Sequence, residues 1–291
     1  MKKLNLLVVM SMLYSISFGQ TDSTKKADTQ NDTIRIGTIL IIKKGKSGLD
    51  SAAKTAAEAK ALKKRNSKVS TNYFVLDLGL SNFDDQTNYG TANPFIANGS
   101  ATPLNANNFK LRIGKSVNVN IWLFMQRLNL IKQNVTLKYG LGVELNNYRF
   151  KQPVSFKEGG VLPYTNNQQA SNAFVFRDSI SFSKNKLAAD YLTIPLMLNF
   201  ATNKADTKKG LSASVGVSAG YLYSQRNKQQ SNERGKQKNA GDYDMERFKL
   251  SYIAELGIGG VRLYGSYSPK SMFKQGLDFR PYNFGFRFSN W

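Results

Sequence analysis

The chain of 291 residues contains no cysteine and no histidine. Without cysteine it cannot form disulfides, thiolate nucleophiles or cysteine-based metal sites. Without histidine it lacks the commonest general base and metal ligand. A Ser-Lys or paired-carboxylate site stays open in principle, but no motif marks one, and the sequence has no phosphate-binding loop or calcium loop. We therefore expect no enzyme activity, no metal and no cofactor.

Long hydrophobic runs are also missing. No stretch reaches 18 consecutive apolar residues, so we expect no membrane-spanning helix. Lys2 and Lys3 precede an apolar run from Leu4 to Tyr14, and Ser17-Phe18-Gly19 has small residues at the two cleavage-site positions. This pattern predicts a signal peptide over residues 1–19. The apolar run is too short for a transmembrane anchor, and no cysteine follows the cut, which excludes a lipoprotein anchor.

Positive charge is abundant, with a formal net charge of +22. The basic residues are spread along the chain without an aromatic stacking platform, so we expect no nucleic-acid partner. Residues 20–71 are predicted to be a periplasmic basic extension, which is either an arm that contacts peptidoglycan, anionic lipid or a partner, or a solvated linker. Within it, Asp32–Ile42 is β-rich, as one strand or a hairpin about Gly37, and Leu49–Lys68 has a helix-forming composition.

The last stretch, Pro281–Trp291, shows a clear period of two. Tyr282, Phe284, Phe286 and Phe288 fall on one face of a strand, and Asn283, Gly285, Arg287 and Ser289 fall on the other. An aromatic face that meets lipid, opposite a polar face that meets a lumen, is typical of a membrane β-barrel.

Similar alternation predicts an all-β fold, an antiparallel up-and-down barrel of eight transmembrane strands over residues 72–291. The predicted strands are Asn72–Ser81, Asn108–Leu128, Val135–Asn146, Ala188–Phe200, Leu211–Ser224, Phe248–Ile258, Val261–Ser268 and Pro281–Trp291. Three irregularities are expected: a bulge or an apolar lumen layer at Ile121–Met125, a bulge or irregular pairing at Pro195, and a two-residue turn at Gly259-Gly260.

The connections alternate between long and short, as in outer-membrane barrels with long external loops and short periplasmic turns. The long loops are Phe83–Asn107, Lys151–Lys186 and Arg226–Glu246. Ala173–Ser183 alternates by itself and could form a protruding hairpin, extend the next strand or add a strand pair that widens the barrel. An even number of strands places both termini in the periplasm.

Seven charged residues decide which face points inward. A lysine or arginine facing lipid at the bilayer midplane costs roughly 2–4 kcal/mol, so the charged faces must line the lumen if lipid surrounds the barrel. In the alternative, a soluble lipocalin-like barrel with its apolar face inward, the charged faces would be in water; the signal peptide, the loop asymmetry and the aromatic last strand favour the membrane. We predict a structural network in which basic side chains neutralise acidic ones, because an unpaired buried charge is strongly destabilising. The alternative places some of them at the rims, in water. The residues are Asp77, Lys138, Glu144, Lys249, Glu255, Arg262 and Arg287.

Four segments carry a resemblance to a known family. They are Asn72–Gly79, Leu137–Glu144, Tyr191–Leu196 and Tyr282–Phe288. Together they resemble the PorT-like outer-membrane β-barrel family of Bacteroidetes, and Asp32–Gly37 is similar to the segment that often precedes such barrels. The resemblance implies an outer-membrane barrel and supplies no catalytic residues. Ser289-Asn290-Trp291 departs from the pattern, because Trp291 stands out of phase with Phe288.

These observations favour a non-enzymatic barrel with a charge-filled lumen and long external loops, in a structural, interaction or assembly-accessory role. The alternative is a small pore for ions or small solutes. The expected partners are outer-membrane lipid and lipopolysaccharide, the barrel-assembly machinery through the C-terminal strand, and a surface or periplasmic protein.

Overall fold

The structure, a computed structural model, describes residues 33–36, 39–42, 68–90, 93, 95–97, 103–131, 134–202 and 210–289. Contacts divide the chain into two units, residues 1–62 and 63–291. In the first unit, β1 (Thr33–Ile36) and β2 (Ile39–Ile42) pair antiparallel with Ile36 opposite Ile39. This is the hairpin alternative for the early β-rich run. The predicted signal peptide lies outside the described residues, as does the helix-forming stretch apart from Lys68.

The second unit is built from thirteen further strands among its described residues. They are β3 (Val69–Asp85), β4 (Val117–Ile131), β5 (Val135–Arg149), β6 (Val154–Lys157), β7 (Gly160–Val161), β8 (Gln169–Ala170), β9 (Phe174–Arg177), β10 (Lys184–Ala201), β11 (Leu211–Ser231), β12 (Gly235–Ala240), β13 (Phe248–Ile258), β14 (Val261–Tyr267) and β15 (Phe279–Phe288).

Eight of these strands close into a barrel. β3, β4, β5, β10, β11, β13, β14 and β15 each pair antiparallel with the next, and β15 pairs with β3. Every transmembrane strand therefore has two neighbours, so no backbone edge is left unsatisfied in lipid. The predicted eight-stranded up-and-down barrel is confirmed.

The alternation in sequence becomes an alternation of faces. Along β5, odd-numbered residues from Val135 to Arg149 point outward and even-numbered ones are buried inside. The outward faces carry large exposed apolar side chains, including Leu78, Leu123, Leu192, Ile194, Leu196, Val215, Val217, Leu250, Tyr252, Leu256, Leu263, Phe284 and Phe286. An apolar exterior around a polar interior is the arrangement that a bilayer stabilises.

Strict alternation predicts Tyr73 on the lumen face with Asp77, and Met125 on the lipid face with Val117, and a bulge moves each of the two residues to the opposite face. Phe74 has a φ of 55° and is skipped in the pairing of β3 with β4, so Tyr73 is exposed instead of lining the lumen. Leu123 is skipped between β4 and β5, and Met125 consequently points inward, fully buried. A buried cluster is formed by Val75, Trp122 and Met125. The stretch 121–125 therefore contains both of the expected features, a bulge and an apolar lumen layer.

Strand ends at the loop side differ from the prediction. β4 begins at Val117 because Ala106–Phe109 and Ile113–Lys115 form 3-10 turns, and β3 runs from Val69 to Asp85, into the predicted loop. The charged stretch Arg226–Glu246 is not a loop throughout: β11 continues to Ser231 and pairs with β12. This hairpin is held by backbone pairing and has no apolar face. The sequence pattern that identifies a lipid-facing strand is therefore absent from it.

Three further predictions concern Pro195, the Gly259-Gly260 turn and the segment Ala173–Ser183. Pro195 stays opposite Ser218 of β11, whereas the pairing of β10 with β5 lapses at Ile194 and Pro195. Proline has no N–H to donate to a ladder, so irregular pairing is expected beside it. Ile258 pairs with Val261 across the Gly259-Gly260 turn, where Gly259 has a φ of 58°. β9, inside the predicted Ala173–Ser183 hairpin, pairs with β6 in a separate two-stranded sheet and does not widen the barrel.

Candidate functional site

Glu255 on β13 lies at the centre of the lumen. Its carboxylate accepts from Lys138 Nζ at 2.7 Å, Arg262 at 3.0 Å and Arg287 at 2.7 Å. These four side chains come from β5, β13, β14 and β15, and each residue is at most 7% exposed. One buried carboxylate with three charged donors is fully satisfied, which is the condition under which a buried charge is tolerated.

Arg287 also joins the last strand of the barrel to the first. Its Nε donates to Asp77 Oδ1 at 2.7 Å and its NH2 donates to Asp77 Oδ2 at 2.8 Å. Trp122 Nε1 and Asn120 Nδ2 donate to the same Oδ2, at 2.8 and 3.1 Å. A bidentate guanidinium–carboxylate pair fixes orientation as well as charge, so it holds β15 and β3 in register.

Glu144 forms a second charged centre nearer the loops. It pairs with Lys249, whose ammonium also lies 4.4 Å from the centre of the Tyr191 ring. Asn146 Nδ2 and Asn283 Nδ2 donate to Glu144 Oε1 at 3.0 and 3.3 Å. The carboxylate is thereby surrounded by donors from β5, β13 and β15.

The structure brings all seven predicted residues inside the barrel, in these two groups. An asparagine chain links them: Asn118 Nδ2 donates to Asn120 and to Asn146, each at 2.9 Å. Sequence reasoning missed these three asparagines, although they share the inward parity of Asp77 and Glu144. It also missed Arg127, which donates to Asn199 at 3.2 Å, because the bulge at Leu123 shifts its face.

The lumen retains little free space at this level. A cavity beside Glu144, Trp122 and Arg287 measures about 20 Å³. That volume holds roughly one water molecule. The lumen of this barrel is therefore a packed polar core at the depth of the network.

Above the network, aromatic and aliphatic side chains close the loop end of the barrel. We call this cluster the aromatic cap. Phe279 is fully buried. The centroid of its ring lies 4.1 Å from that of Phe83, 5.1 Å from that of Phe109 and 5.7 Å from that of Phe273. Its other members include Phe95, Tyr148, Phe150, Phe156, Val175, Leu187, Tyr243, Met245, Met272 and Leu277. They come from strand ends, from all three long loops and from the connection between β14 and β15, so the cap ties these loops together.

A polar cleft opens on the outer side of the cap. It has a volume of about 540 Å³ and is lined in part by Ser155, Tyr164, Asp178 and Arg234. Asp178 is buried, and its Oδ2 accepts from Arg234 at 2.9 Å and from Ser155 at 3.0 Å. The cleft thus presents a fixed ion pair and hydroxyls, a lining suited to a polar ligand.

The part of the chain that the structure describes contains no group of three or more acidic residues placed to hold a metal ion. None of its helices is long and apolar enough to cross a membrane.

The comparison with family models agrees with this architecture. The family model described as "Outer membrane protein beta-barrel domain" matches residues 69–286, most of the chain. Among solved structures, Ail, the attachment invasion locus protein of Yersinia pestis, aligns with a TM-score of 0.29 and 11% sequence identity, over 75% of this chain and 98% of that one. The comparison with curated proteins gave no match.

Proposed function

This chain belongs to the outer membrane protein β-barrel domain family and lies in the outer membrane, and we propose that it acts there as a closed, non-enzymatic barrel whose working surface is its external loop layer. The sequence motifs noted above support a finer placement with the PorT-like barrels of Bacteroidetes. We further propose that residues 1–19 are removed on export.

The observation that carries this proposal is the double closure of the lumen. The charged network fills the middle of the barrel, and the aromatic cap closes its loop end. Eight-stranded barrels are narrow enough for side chains to fill them. A solute would have to displace both layers, so the barrel serves as a rigid base and not as a conduit.

The working surface follows from the orientation of the strands. The start of β3 and the end of β15 lie at the same end of the barrel, opposite the long loops. With the termini in the periplasm, the loops and the polar cleft face outward, where they can contact a surface protein. Binding loops are commonly carried on a rigid scaffold. The assembly machinery would engage β15, and residues 20–71 would remain periplasmic.

Planar-bilayer conductance of the refolded mature protein, residues 20–291, tests the proposal. Heat-modifiable gel mobility first shows that the barrel is folded. We expect a folded barrel with no steady conductance. Discrete channels in the wild-type protein would instead establish the small pore. In that case the lumen, with four basic and three acidic residues in its two charged centres, should prefer anions.

A further inference from the structure

Four basic residues lie side by side on the outer face of the barrel wall above its apolar band. Arg149 of β5 is opposite Lys186 of β10, Lys186 is opposite Lys228 of β11, and Lys228 is opposite Lys238 of β12. Directly opposed residues on neighbouring strands share a face, with Cβ atoms about 5 Å apart. We call this row the cation ladder.

Repulsion among the four positive charges of the ladder destabilises this part of the sheet, and no carboxylate of the described residues pairs with them. Like charges directly opposite one another destabilise a sheet. Among the described residues, no carboxylate forms an ion pair with any of the four, whereas the neighbouring Arg226 is paired with Asp190. The geometry is one that a bound anion would relieve.

The side chains of the ladder make few hydrogen bonds with the described part of the protein, which leaves N–H donors for a ligand. Lys186 Nζ donates to Asn147 Oδ1 at 2.8 Å, and Arg149 NH2 donates to the Ser183 carbonyl at 2.7 Å. Arg149 Nε is buried and has no hydrogen-bond partner. Lys184 and Lys236 extend the same face one rung further out, on β10 and β12. Several N–H donors therefore converge on one strip of surface.

The height of the ladder identifies the anion. Arg149 continues the outward face of β5 four residues beyond Leu145, which is about 13 Å along the strand and roughly 9 Å along the membrane normal at a 45° tilt. Polar headgroups begin where the hydrocarbon ends. On the loop side, phosphates of outer-leaflet lipid lie at this level.

We propose that the cation ladder is a binding site for the phosphate groups of an outer-leaflet lipid headgroup, with the acyl chains against the apolar band below. This rests on the proposed orientation, in which the loop end faces outward. The site fixes lipid beside the β10–β12 wall, while the lumen and the polar cleft remain free.

Native mass spectrometry of the mature protein, residues 20–291, released from detergent micelles doped with diphosphoryl lipid A, tests the site. Wild-type barrel should retain the lipid. The double variant Lys186→Gln/Lys228→Gln should bind about thirtyfold more weakly, because each lysine near an anionic lipid contributes roughly a factor of five. Lys115→Gln/Lys157→Gln removes the same charge from exposed lysines outside the ladder and should bind as wild type.

Three results would overturn the assignment: equal retention by the ladder variant and wild type, equal loss in both double variants, or inorganic phosphate binding as tightly as lipid A. Heat-modifiable mobility of each variant separates these from a failure to form a barrel. A folded barrel that conducts yet binds lipid A through the ladder would contradict the closed-lumen proposal alone.

Discussion

Arg287, on the last barrel strand, donates two hydrogen bonds to Asp77, on the first, across a separation of 210 residues in the chain. The two residues are also direct cross-strand partners, so a single side-chain pair marks the seam where the barrel closes. Because both are nearly inaccessible to solvent, loss of one leaves the other as an uncompensated buried charge.

Arg287→Gln should therefore lower the free energy of unfolding by about 3–5 kcal/mol, the usual effect of breaking a buried ion pair from one side. Urea denaturation of the refolded barrel in detergent, followed by tryptophan fluorescence, measures this. Arg287→Lys should recover only part of the loss, since an ammonium cannot reproduce the bidentate geometry. The control Arg280→Gln breaks the more exposed pair with Asp278 and should cost far less, because exposed ion pairs contribute little to stability. Equal losses in both arginine variants would contradict a special role for the seam.

Glu255→Gln should be at least as damaging, because Lys138, Arg262 and Arg287 would all lose the same charge partner. The unfolding midpoint in urea should fall sharply, and Glu233→Gln, on an exposed turn, should leave it unchanged. Adding Lys138→Met to Glu255→Gln should recover part of the stability by removing one unpaired cation. If Glu255→Gln alters neither stability nor conductance, the lumen network has no structural role.

Phe279→Ala should open the aromatic cap. A buried phenylalanine truncated to alanine typically costs about 3–5 kcal/mol, part of which reflects the cavity left behind. We expect a lower unfolding midpoint and faster proteolysis of the external loops, since those loops pack on this ring. Phe248→Ala, at a residue 73% exposed on the outer surface, is the matched control. Intact loops in the Phe279 variant would show that the cap does not hold them.

Gly79→Ala should impair closure of the barrel. Gly79 pairs with Gly285, and a Cβ on Gly79 would lie 2.3 Å from the Phe284 carbonyl oxygen and 2.4 Å from the Tyr264 hydroxyl. The small residues make room for the Tyr264 side chain inside the lumen. At Gly265 the nearest atom to an added Cβ is 3.8 Å away, so Gly265→Ala should fold normally. The yield of heat-modifiable barrel from refolding compares the two variants.

Lys228→Gln should raise stability in neutral detergent by roughly half a kcal/mol, because it removes one charge from the middle of the cation ladder. Lipid A should stabilise the wild type more than the variant and so reverse their order. Lys157→Gln provides the single-site control. A lower unfolding midpoint for Lys228→Gln in the absence of lipid would show that the ladder is not under repulsion.

Much of the barrel wall could be read from the sequence, because lipid and lumen impose opposite requirements on alternate residues. The reading from Val135 to Asn146 holds residue by residue, as does that of the Phe284, Phe286 and Phe288 face. It fails at Phe74, where a single skipped residue reverses the parity without a sign in the sequence. At Leu123 the apolar residues on both faces predict a bulge as one alternative, but they do not show which residue is skipped.

Outside the membrane, alternation between apolar and polar residues is not required and no longer identifies strands. Nothing requires the outer part of β11 to alternate with apolar residues, so the β11–β12 hairpin is hidden within a charged stretch. The pairing of charges inside the lumen could not be predicted from the sequence either. Alternation places Glu255 and Lys138 inside the barrel, but their contact depends on the relative stagger of two strands whose contacting residues are 117 positions apart in the chain.

The seam between β3 and β15 also has a temporal consequence. A nascent or translocating chain that still lacks β15 has two open edges, on β3 and on β14, each offering unpaired backbone groups to any other strand. The contacts that close the ring are the most distant in the second unit, and contacts of that kind form slowly. Until the final ten-residue strand arrives, the protein depends on whatever shields those edges, and an early stop in its synthesis would yield a species prone to aggregate instead of a smaller barrel.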